Sequence, residues 1–382
     1  MHIEYIDNFA ALEHACQQLG LSRTVCVDTE FHRETTYYPK LALIQLADAE
    51  HTYCVDPLAI QNLQPMATLF ANDKILKVFH AAWQDMEIFL QTFGTLPTPV
   101  FDTQIAAALL GMGEQIGYAA LIQEYLGEDI DKSQTRTDWL QRPLSEKQIE
   151  YAGGDVYYLC KAYPMMAEQL RELQREDWLL DDFRTLCNPQ NYTPHPPDMW
   201  RKIKAYQKLR GGELAVLQAT TAWRETTAQQ RDKPRKRIIS DDALVDIARQ
   251  KPTNAAQIFS LRSMQNARLT QDDANALINC IEQAKKLPQD AWPKLPKFRK
   301  LGVDEDALVD ALTALLKQQA ALHKINPASI AARKQLEELV SGERDIPLLQ
   351  GWRMHHGGQI LLDFLEGKTT LSVRNDKLTC SP

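Results

Sequence analysis

The sequence predicts an α/β layered domain followed by two all-α helical bundles. Three observations carry that expectation. Apolar strands alternate with amphipathic helices over residues 1–187, the pattern of an α/β layered fold. Four prolines within residues 188–198 then read as a stiff, extended linker. Beyond it every periodic segment reads as helix, and Pro288, Pro293 and Pro296 mark a second break. The expected domains are therefore 1–187, a linker over 188–200, helical domains over 201–288 and 294–366, and a flexible polar tail over 367–382.

The elements follow in order. Ile3 to Ile6 is a first strand. Asp7-Asn8 caps a helix to Leu19, with Phe9, Leu12, Ala15, Cys16 and Leu19 on one face. Thr24 to Val27 is an apolar strand running into Asp28-Thr29-Glu30-Phe31. Leu41 to Ala47 and His51 to Val55 read as a hairpin around Asp48-Ala49-Glu50. Leu63 to Phe70 is helical, Ile75 to Phe79 a strand, and Trp83 to Phe93 a helix. After Pro97 and Pro99 come a short strand at Val100-Phe101 and helices over Thr103 to Leu110 and Tyr118 to Leu126. Ser145 caps a helix from Glu146 to Leu159. In the second half, helices run from Leu214 to Arg231, from Ser240-Asp241 through Ala248, and from Ala274 to Ala284. Leu308 to Leu322, Ile330 to Val340 and Gln359 to Leu365 follow in a similar order. The offset, on the order of 90 residues, suggests a weak tandem repeat, a pattern that two unrelated bundles also produce.

Composition narrows the function classes. The chain has 382 residues, 44% of them apolar, and no apolar run long enough to span a bilayer, so no membrane association is expected. The start, Met1-His2-Ile3-Glu4, has no secretory leader. Seven scattered cysteines without a CxxC pair suggest reduced thiols in the cytoplasm rather than zinc or disulfides. The net charge of −7 conceals an asymmetry. Residues 1–190 carry 13 Lys+Arg against 28 Asp+Glu, and residues 191–382 carry 30 against 22. An acidic half suited to metal precedes a basic half suited to a polyanion.

The candidate chemistry begins at Asp28 and Glu30. Period-2 geometry puts both on one face of a strand, where they repel each other unless a cation joins them. Asp85 opens the helix after His80-Ala-Ala-Trp83-Gln. Tyr151 and Asp155 stand at i, i+4 on a helix, separated by small residues. Each feature alone has an ordinary explanation: a water-facing strand end, a first-turn acid, a helix–sheet contact. Together they give four carboxylates and one phenol. Two Mg²⁺ ions would turn that set into a clamp for in-line attack on a phosphodiester, with Tyr151 orienting or deprotonating the water.

The order Asp-x-Glu, Asp, Tyr-x-x-x-Asp resembles the DEDD exonucleases, in the subclass with tyrosine in the third motif. The stretch from Asp131 to Leu144 leading into Tyr151-Ala-Gly-Gly-Asp155 resembles the ribonuclease D family, as does Tyr37-Tyr38-Pro39-Lys40-Leu41 with Ile44-Gln45-Leu46. The helical modules are similar to that family's helicase-and-ribonuclease-D C-terminal (HRDC) domains, the second more distantly. The resemblance implies a ribonuclease-H-like catalytic domain with a mixed sheet. It implies a 3′→5′ exoribonuclease that releases 5′-mononucleotides and trims tRNA precursors and other structured RNA. It implies two divalent ions, Mg²⁺ or Mn²⁺, with Asp28, Glu30 and Asp155 near the nucleophile, Asp28 bridging, and Asp85 supporting the second ion. Gln45, Lys132 and Arg136 lie in matching stretches and are candidate substrate contacts. His80 copies the spacing of the other DEDD subclass but precedes the second motif, so a supporting role is expected. Gly153-Gly154 departs from the alanine-rich run of the family and should loosen the helix by about 1 kcal/mol per glycine.

Three basic clusters in the second half suit RNA guidance: Arg201 to Arg210; Arg231 to Arg237, with Arg235, Lys236 and Arg237; and Lys294 to Lys300. Trp200, Tyr206 and Trp223 read as core. A DNA exonuclease and a non-catalytic RNA scaffold are the competing readings; RNA is the expected partner and a monomer the expected state.

Overall fold

The computed structural model describes residues 1–264, 269–295 and 301–381. Strands β1 (Glu4–Ile6), β2 (Thr24–His32), β3 (Lys40–Ala47), β4 (Thr52–Val55), β5 (Leu76–Phe79) and β6 (Val100–Asp102) form one mixed sheet in the order β1-β4-β3-β2-β5-β6. β1 is parallel to β4, β3 antiparallel to β4, and β5 parallel to both β2 and β6. β2, which carries Asp28 and Glu30, is therefore internal. Its core residues Val25, Cys26 and Val27 are fully buried, as their unbroken apolar run requires.

Helices α1 (Phe9–Leu19), α2 (Gln64–Ala71) and α3 (Trp83–Phe93) join the strands, and α4 (Thr103–Leu109), α5 (Tyr118–Leu126) and α6 (Glu146–Glu172) follow β6. Asn8 caps α1 through its side chain, as expected. Phe9, expected on the buried face, is 43% exposed at the first helical position. Ser145 and Gln148 form a reciprocal capping box at the start of α6. That helix continues past Leu159 and through Pro164, because Ala162, Met166 and Leu170 prolong its buried face.

The glycine pair on α6 has a packing reason at one position only. A Cβ on Gly153 would stand 2.4 Å from Ile3 Cδ1 and 2.7 Å from its Cγ1, whereas one on Gly154 meets only Tyr158, at 3.8 Å. Gly154→Ala should therefore stabilise the protein by about 0.5–1 kcal/mol. Gly153→Ala should cost about 1–3 kcal/mol through overpacking. Urea midpoints of the two variants moving in opposite directions would confirm this; equal shifts would refute it.

The chain divides into two compact units. The first contains Met1–Glu30, Ala42–Asn188 and the described residues from 301 onward. After α6 and α7 (Leu180–Leu186), it takes in α13 (Val303–Leu322), α14 (Pro327–Ile330), α15 (Arg333–Val340), α16 (Gly351–Arg353) and α17 (Gln359–Leu365). Leu312, Leu315, Leu316, Leu336 and Leu361 share one core with Phe101, Leu109, Leu121 and Leu159. Trp178 stacks on Trp352 with centroids 4.4 Å apart, and Arg175 donates to the carbonyls of Leu109 and His323. The expected free-standing domain over 294–366 is thus corrected: its helices pack on one another and also on the helices and sheet of the first unit, in one shared core. The expected flexible tail is also corrected. Residues Thr370–Arg374 (β7) and Lys377–Ser381 (β8) form a hairpin, turned at Asn375 and Asp376 with φ of 50° and 58°, and Gln318 donates to Leu378 O.

The second unit combines Phe31–Leu41 with the described residues of 189–295. Its helices are α8 (Gly212–Gln230), α9 (Arg235–Ile238), α10 (Asp241–Gln250), α11 (Ala255–Phe259) and α12 (Gln271–Lys286). The expected extended linker contains 3-10 turns at Pro189–Asn191 and Pro196–Lys202, and Trp200, 1% exposed, anchors it in the unit's core. Among the described residues, no helix is long and apolar enough to cross a membrane. Pro296 of the second proline break, and Lys297, Arg299 and Lys300 of the third basic cluster, lie outside the described residues.

Candidate active site

Three elements of the first unit bring the predicted carboxylates together. β2 presents Asp28 and Glu30, the first turn of α3 presents Asp85, and α6 presents Tyr151 and Asp155. A cavity of about 590 Å³ is lined by Asp28, Glu30, His80, Lys132, Tyr151 and Asp155, among others. Asp85 is 6% exposed and accepts a hydrogen bond from the Thr29 hydroxyl. The first turn of α5, with Gly117, Tyr118, Ala119 and Ala120, opens on the same cavity without a side-chain cap.

Burial dominates the electrostatics. It raises the Asp28 carboxyl to about 7. It raises Glu30 to about 10, helped by the charges of Asp28, Asp155 and Asp85. Burial and then Asp28 push Asp85 and Asp155 well above the usual carboxylate range. Left to themselves, these groups keep protons that acids at a surface would lose. Among the described residues, no group of three acid, histidine or cysteine side chains forms a ready-made metal cage. Asp28, Glu30 and Asp155 instead line a shared space, and the buried Asp85 lies within electrostatic reach of Asp28. Oxygen-rich and mutually repulsive, the set fits hard divalent cations.

Tyr151 stays a neutral phenol, raised to about 12 by burial first and Asp155 second. Its ring lies 6.1 Å from Trp139, and its hydroxyl is 3.5 Å from Thr135 Oγ1. His80 supports the site rather than facing it with a spare nitrogen. Nδ1 is 3.0 Å from Thr103 Oγ1 and Nε2 3.1 Å from Ile116 O, and burial lowers its pKa. The Tyr118 hydroxyl, which sequence reasoning missed, donates to Asp155 O and Gly154 O on α6. Thr29 was also missed: strict alternation sends it away from Asp28 and Glu30, and only the placement of α3 gives it Asp85 as a partner.

Arg142 explains the Trp139-to-Leu144 stretch. Nε and Nη2 donate to the two Asp56 oxygens at 2.6 and 2.8 Å, and other guanidinium hydrogens reach Trp139 O, Gln141 O and Ala42 O. Tyr5 also donates to Asp56, at 2.6 Å. This clamp ties the loop bearing Lys132 and Thr135 to the sheet. Arg142→Ala leaves Asp56 buried without its charge partner and should cost about 3 kcal/mol, the low end for such a loss because Arg142 is 24% exposed. Thermal unfolding measures that cost; a change within about 0.5 kcal/mol would refute the clamp.

The predicted substrate contacts divide. Lys132 lines the cavity and Arg136 is exposed on the same loop. Gln45 is corrected: at 0% exposure on β3 it cannot touch RNA, and neither amide atom has a hydrogen-bond partner. Arg235 is corrected as well. In the second unit it donates to Glu225 at 2.5 and 2.6 Å and to the Tyr37 hydroxyl at 2.9 Å, and Tyr37 in turn donates to Glu225. Backbone N–H groups of Tyr37 and Tyr38 donate to Asp232. The Tyr37-to-Leu41 motif therefore serves packing of the second unit. Lys236 and Arg237 are exposed.

Comparison with known proteins decides the family. Residues 3–171 match the 3′-5′ exonuclease family and residues 213–281 the HRDC domain family. Ribonuclease D of Bartonella henselae is 40% identical over 370 residues, covering 96% of this chain and 91% of that one. Ribonuclease D of Sphingobium indicum is 37% identical, covering 98% and 97%. The chain belongs to the ribonuclease D family. As a ribonuclease D it is a 3′→5′ exoribonuclease acting on RNA, with a nucleic-acid-binding HRDC domain inside its second unit. Its fold agrees: Escherichia coli RNase D, described as an exoribonuclease involved in structured RNA processing, superposes with a TM-score of 0.85 at 33% identity, over 96% of this chain and 99% of that one. A protein from Bifidobacterium adolescentis shares the fold at a TM-score of 0.71, 22% identity, and 95% and 97% coverage.

Proposed function

We propose that this ribonuclease D trims the 3′ ends of tRNA precursors and other structured RNA, releasing 5′-mononucleotides by two-metal-ion hydrolysis. The observation that carries the proposal is one cavity lined by Asp28, Glu30 and Asp155 with Tyr151 at its wall, and the buried Asp85 within electrostatic reach of Asp28. Asp28, Glu30, Asp85 and Asp155 would hold the ions. When bound, two such cations activate water and neutralise the charge that builds on the phosphoryl group and leaving oxygen. The Tyr151 phenol orients the attacking water by hydrogen bonding. Lys132 contacts the phosphate backbone, and the uncapped N–H groups of α5 face the cavity where an anion is favoured. The structured-RNA substrate is supported by the likeness to Escherichia coli RNase D. Seven free thiols among the described residues suit work in the reducing cytoplasm.

RNA labelled at its 5′ end tests the proposal, incubated with Mg²⁺, Mn²⁺ or chelator beside the matching DNA. A metal-dependent ladder shortening from the 3′ end, faster on RNA and yielding 5′-mononucleotides, is expected. Equal trimming of DNA, or degradation in chelator, would overturn it. A tRNA precursor with a 3′ extension should lose the extension and stop near the folded stem.

The exposed lysines of the second unit are proposed to guide RNA. Lys202, Lys204 and Lys208 are all exposed. Replacing the three with Gln should reduce the slope of log affinity against log salt by up to ~2, at ~0.7 per lost contact to single-stranded phosphate. An unchanged slope in filter-binding assays would remove them from the interface.

A further inference from the structure

The turn that delivers Asp85 is held in an unfavourable shape. Ala81, between β5 and α3, has φ of 60°, a left-handed conformation that residues with a Cβ rarely adopt. Such a turn persists only where its surroundings over-determine it. Here the surroundings are Asp102, at the end of β6. Its Oδ1 accepts from Ala81 N at 3.1 Å and its Oδ2 from Ala82 N at 2.8 Å. The same carboxylate caps α4, accepting from Gln104 N at 2.8 Å and Ile105 N at 3.3 Å. Asp102 is 1% exposed. The next residue, Thr103, donates from its hydroxyl to Phe79 O at 3.0 Å and stands 3.0 Å from His80 Nδ1. One corner of the sheet therefore fastens residues 79–82 from below, and Asp85 follows three residues later on the first turn of α3.

We infer that Asp102 is a positioning residue of the nuclease site: its carboxylate holds the Ala81–Ala82 turn in left-handed form and thereby fixes where Asp85 meets the metal. This rests on the metal-binding reading of the four carboxylates. Oδ1 accepts from three N–H groups and Oδ2 from the fourth, that of Ala82, and a carboxylate alone among small side chains offers two acceptor oxygens. Asn at this position would turn an NH₂ toward one or more of these N–H groups. Ala81 would then relax toward negative φ, and the start of α3 would shift with it. Asp102 also projects its charge onto Asp85 and His80, so a test has to separate shape from charge.

Mn²⁺ binding to the metal-free protein, followed by the paramagnetic resonance of free Mn²⁺, makes that separation without any turnover. The wild type comes first: no Mn²⁺ bound would overturn the metal reading itself. Given binding, Asp102→Asn should weaken it by ~10–100-fold, the usual loss for an outer partner of a metal site. It should lower kcat while leaving KM for RNA in place. Asp102→Asn combined with Ala81→Gly should regain ~5-fold or more of the affinity, because glycine adopts the left-handed turn unaided. Charge is not restored in that pair, so recovery identifies shape as the cause. Wild-type affinity in folded Asp102→Asn, or a loss that Ala81→Gly does not repair, would overturn the inference. If neither variant folds, Ala81→Val strains the same turn with Asp102 intact and should bind Mn²⁺ at least ~10-fold more weakly. Undiminished binding there would also overturn it.

Discussion

Asp28→Asn and Asp155→Asn will each cut RNA hydrolysis by ~10³-fold, the upper end of the scale for losing one preorganised electrostatic partner of a transition state. RNA affinity in the same variants will stay within about twofold, because the substitution changes no group outside the cavity. The stability of the metal-free protein will move the other way. Asn removes one of the buried acids that raise each other's pKa, so both variants will unfold at higher temperature than the wild type at pH 8 without metal. Opposite signs for activity and stability distinguish a site built to hold cations from acids that merely cap structure. Tyr151→Phe will be milder, ~10²-fold, since it removes one orienting hydroxyl and no charge. Single-turnover trimming of a short RNA measures the rates, and scanning calorimetry the stabilities. Full activity in either Asn variant would dismantle the site.

The second large effect concerns pH. Asp28 holds its proton to about 7 and Glu30 to about 10 in the folded protein, against ordinary values of 3.8 and 4.5. The folded state therefore binds more protons than the unfolded state above about pH 4, and stability falls as pH rises. The contribution of Asp28 is complete below about pH 4 and is lost by about pH 7; that of Glu30 continues to fade toward pH 10. Asp28 alone accounts for at most about 4 kcal/mol across its window. Divalent ions reverse the loss by giving the ionised carboxylates a partner. At 100 times its dissociation constant an ion adds about 2.7 kcal/mol, roughly 3 °C in Tm for a chain of 382 residues. Metal-free protein should thus melt progressively lower between pH 5 and 8, and saturating Mn²⁺ should restore most of the difference at pH 8. A Tm that ignores both pH and Mn²⁺ would contradict the electrostatics of the cavity.

How much of this is legible in the sequence depends on the range over which a residue's role is decided. Asp28 and Glu30 are legible because period 2 on an apolar strand fixes their shared face locally. Ser145 with Gln148, and Tyr151 with Asp155, are legible because a helix repeats within four residues. Arg235 is not: a guanidinium in a basic run looks like a phosphate contact until Glu225 on α8 and Tyr37, nearly 200 positions earlier, are brought beside it. Gln45 fails for a related reason, since a polar residue on a strand reads as exposed unless both faces of the sheet are covered. Three helices near Leu308–Leu322, Ile330–Val340 and Gln359–Leu365 are found, although α13 begins at Val303 and α16 is missed, and their partner is missed as well. An amphipathic face announces that it needs covering and says nothing about what covers it.

The catalytic unit is assembled from segments far apart in its sequence. Asp28 is synthesised long before Leu316, Leu336, Trp352 and Leu361, which belong to the core of the same unit. A ribosome moving from residue 30 to residue 361 has to translate the entire HRDC region before those side chains can arrive. During that interval the first strands wait with part of their hydrophobic surface uncovered, and contacts spanning some three hundred residues must close last.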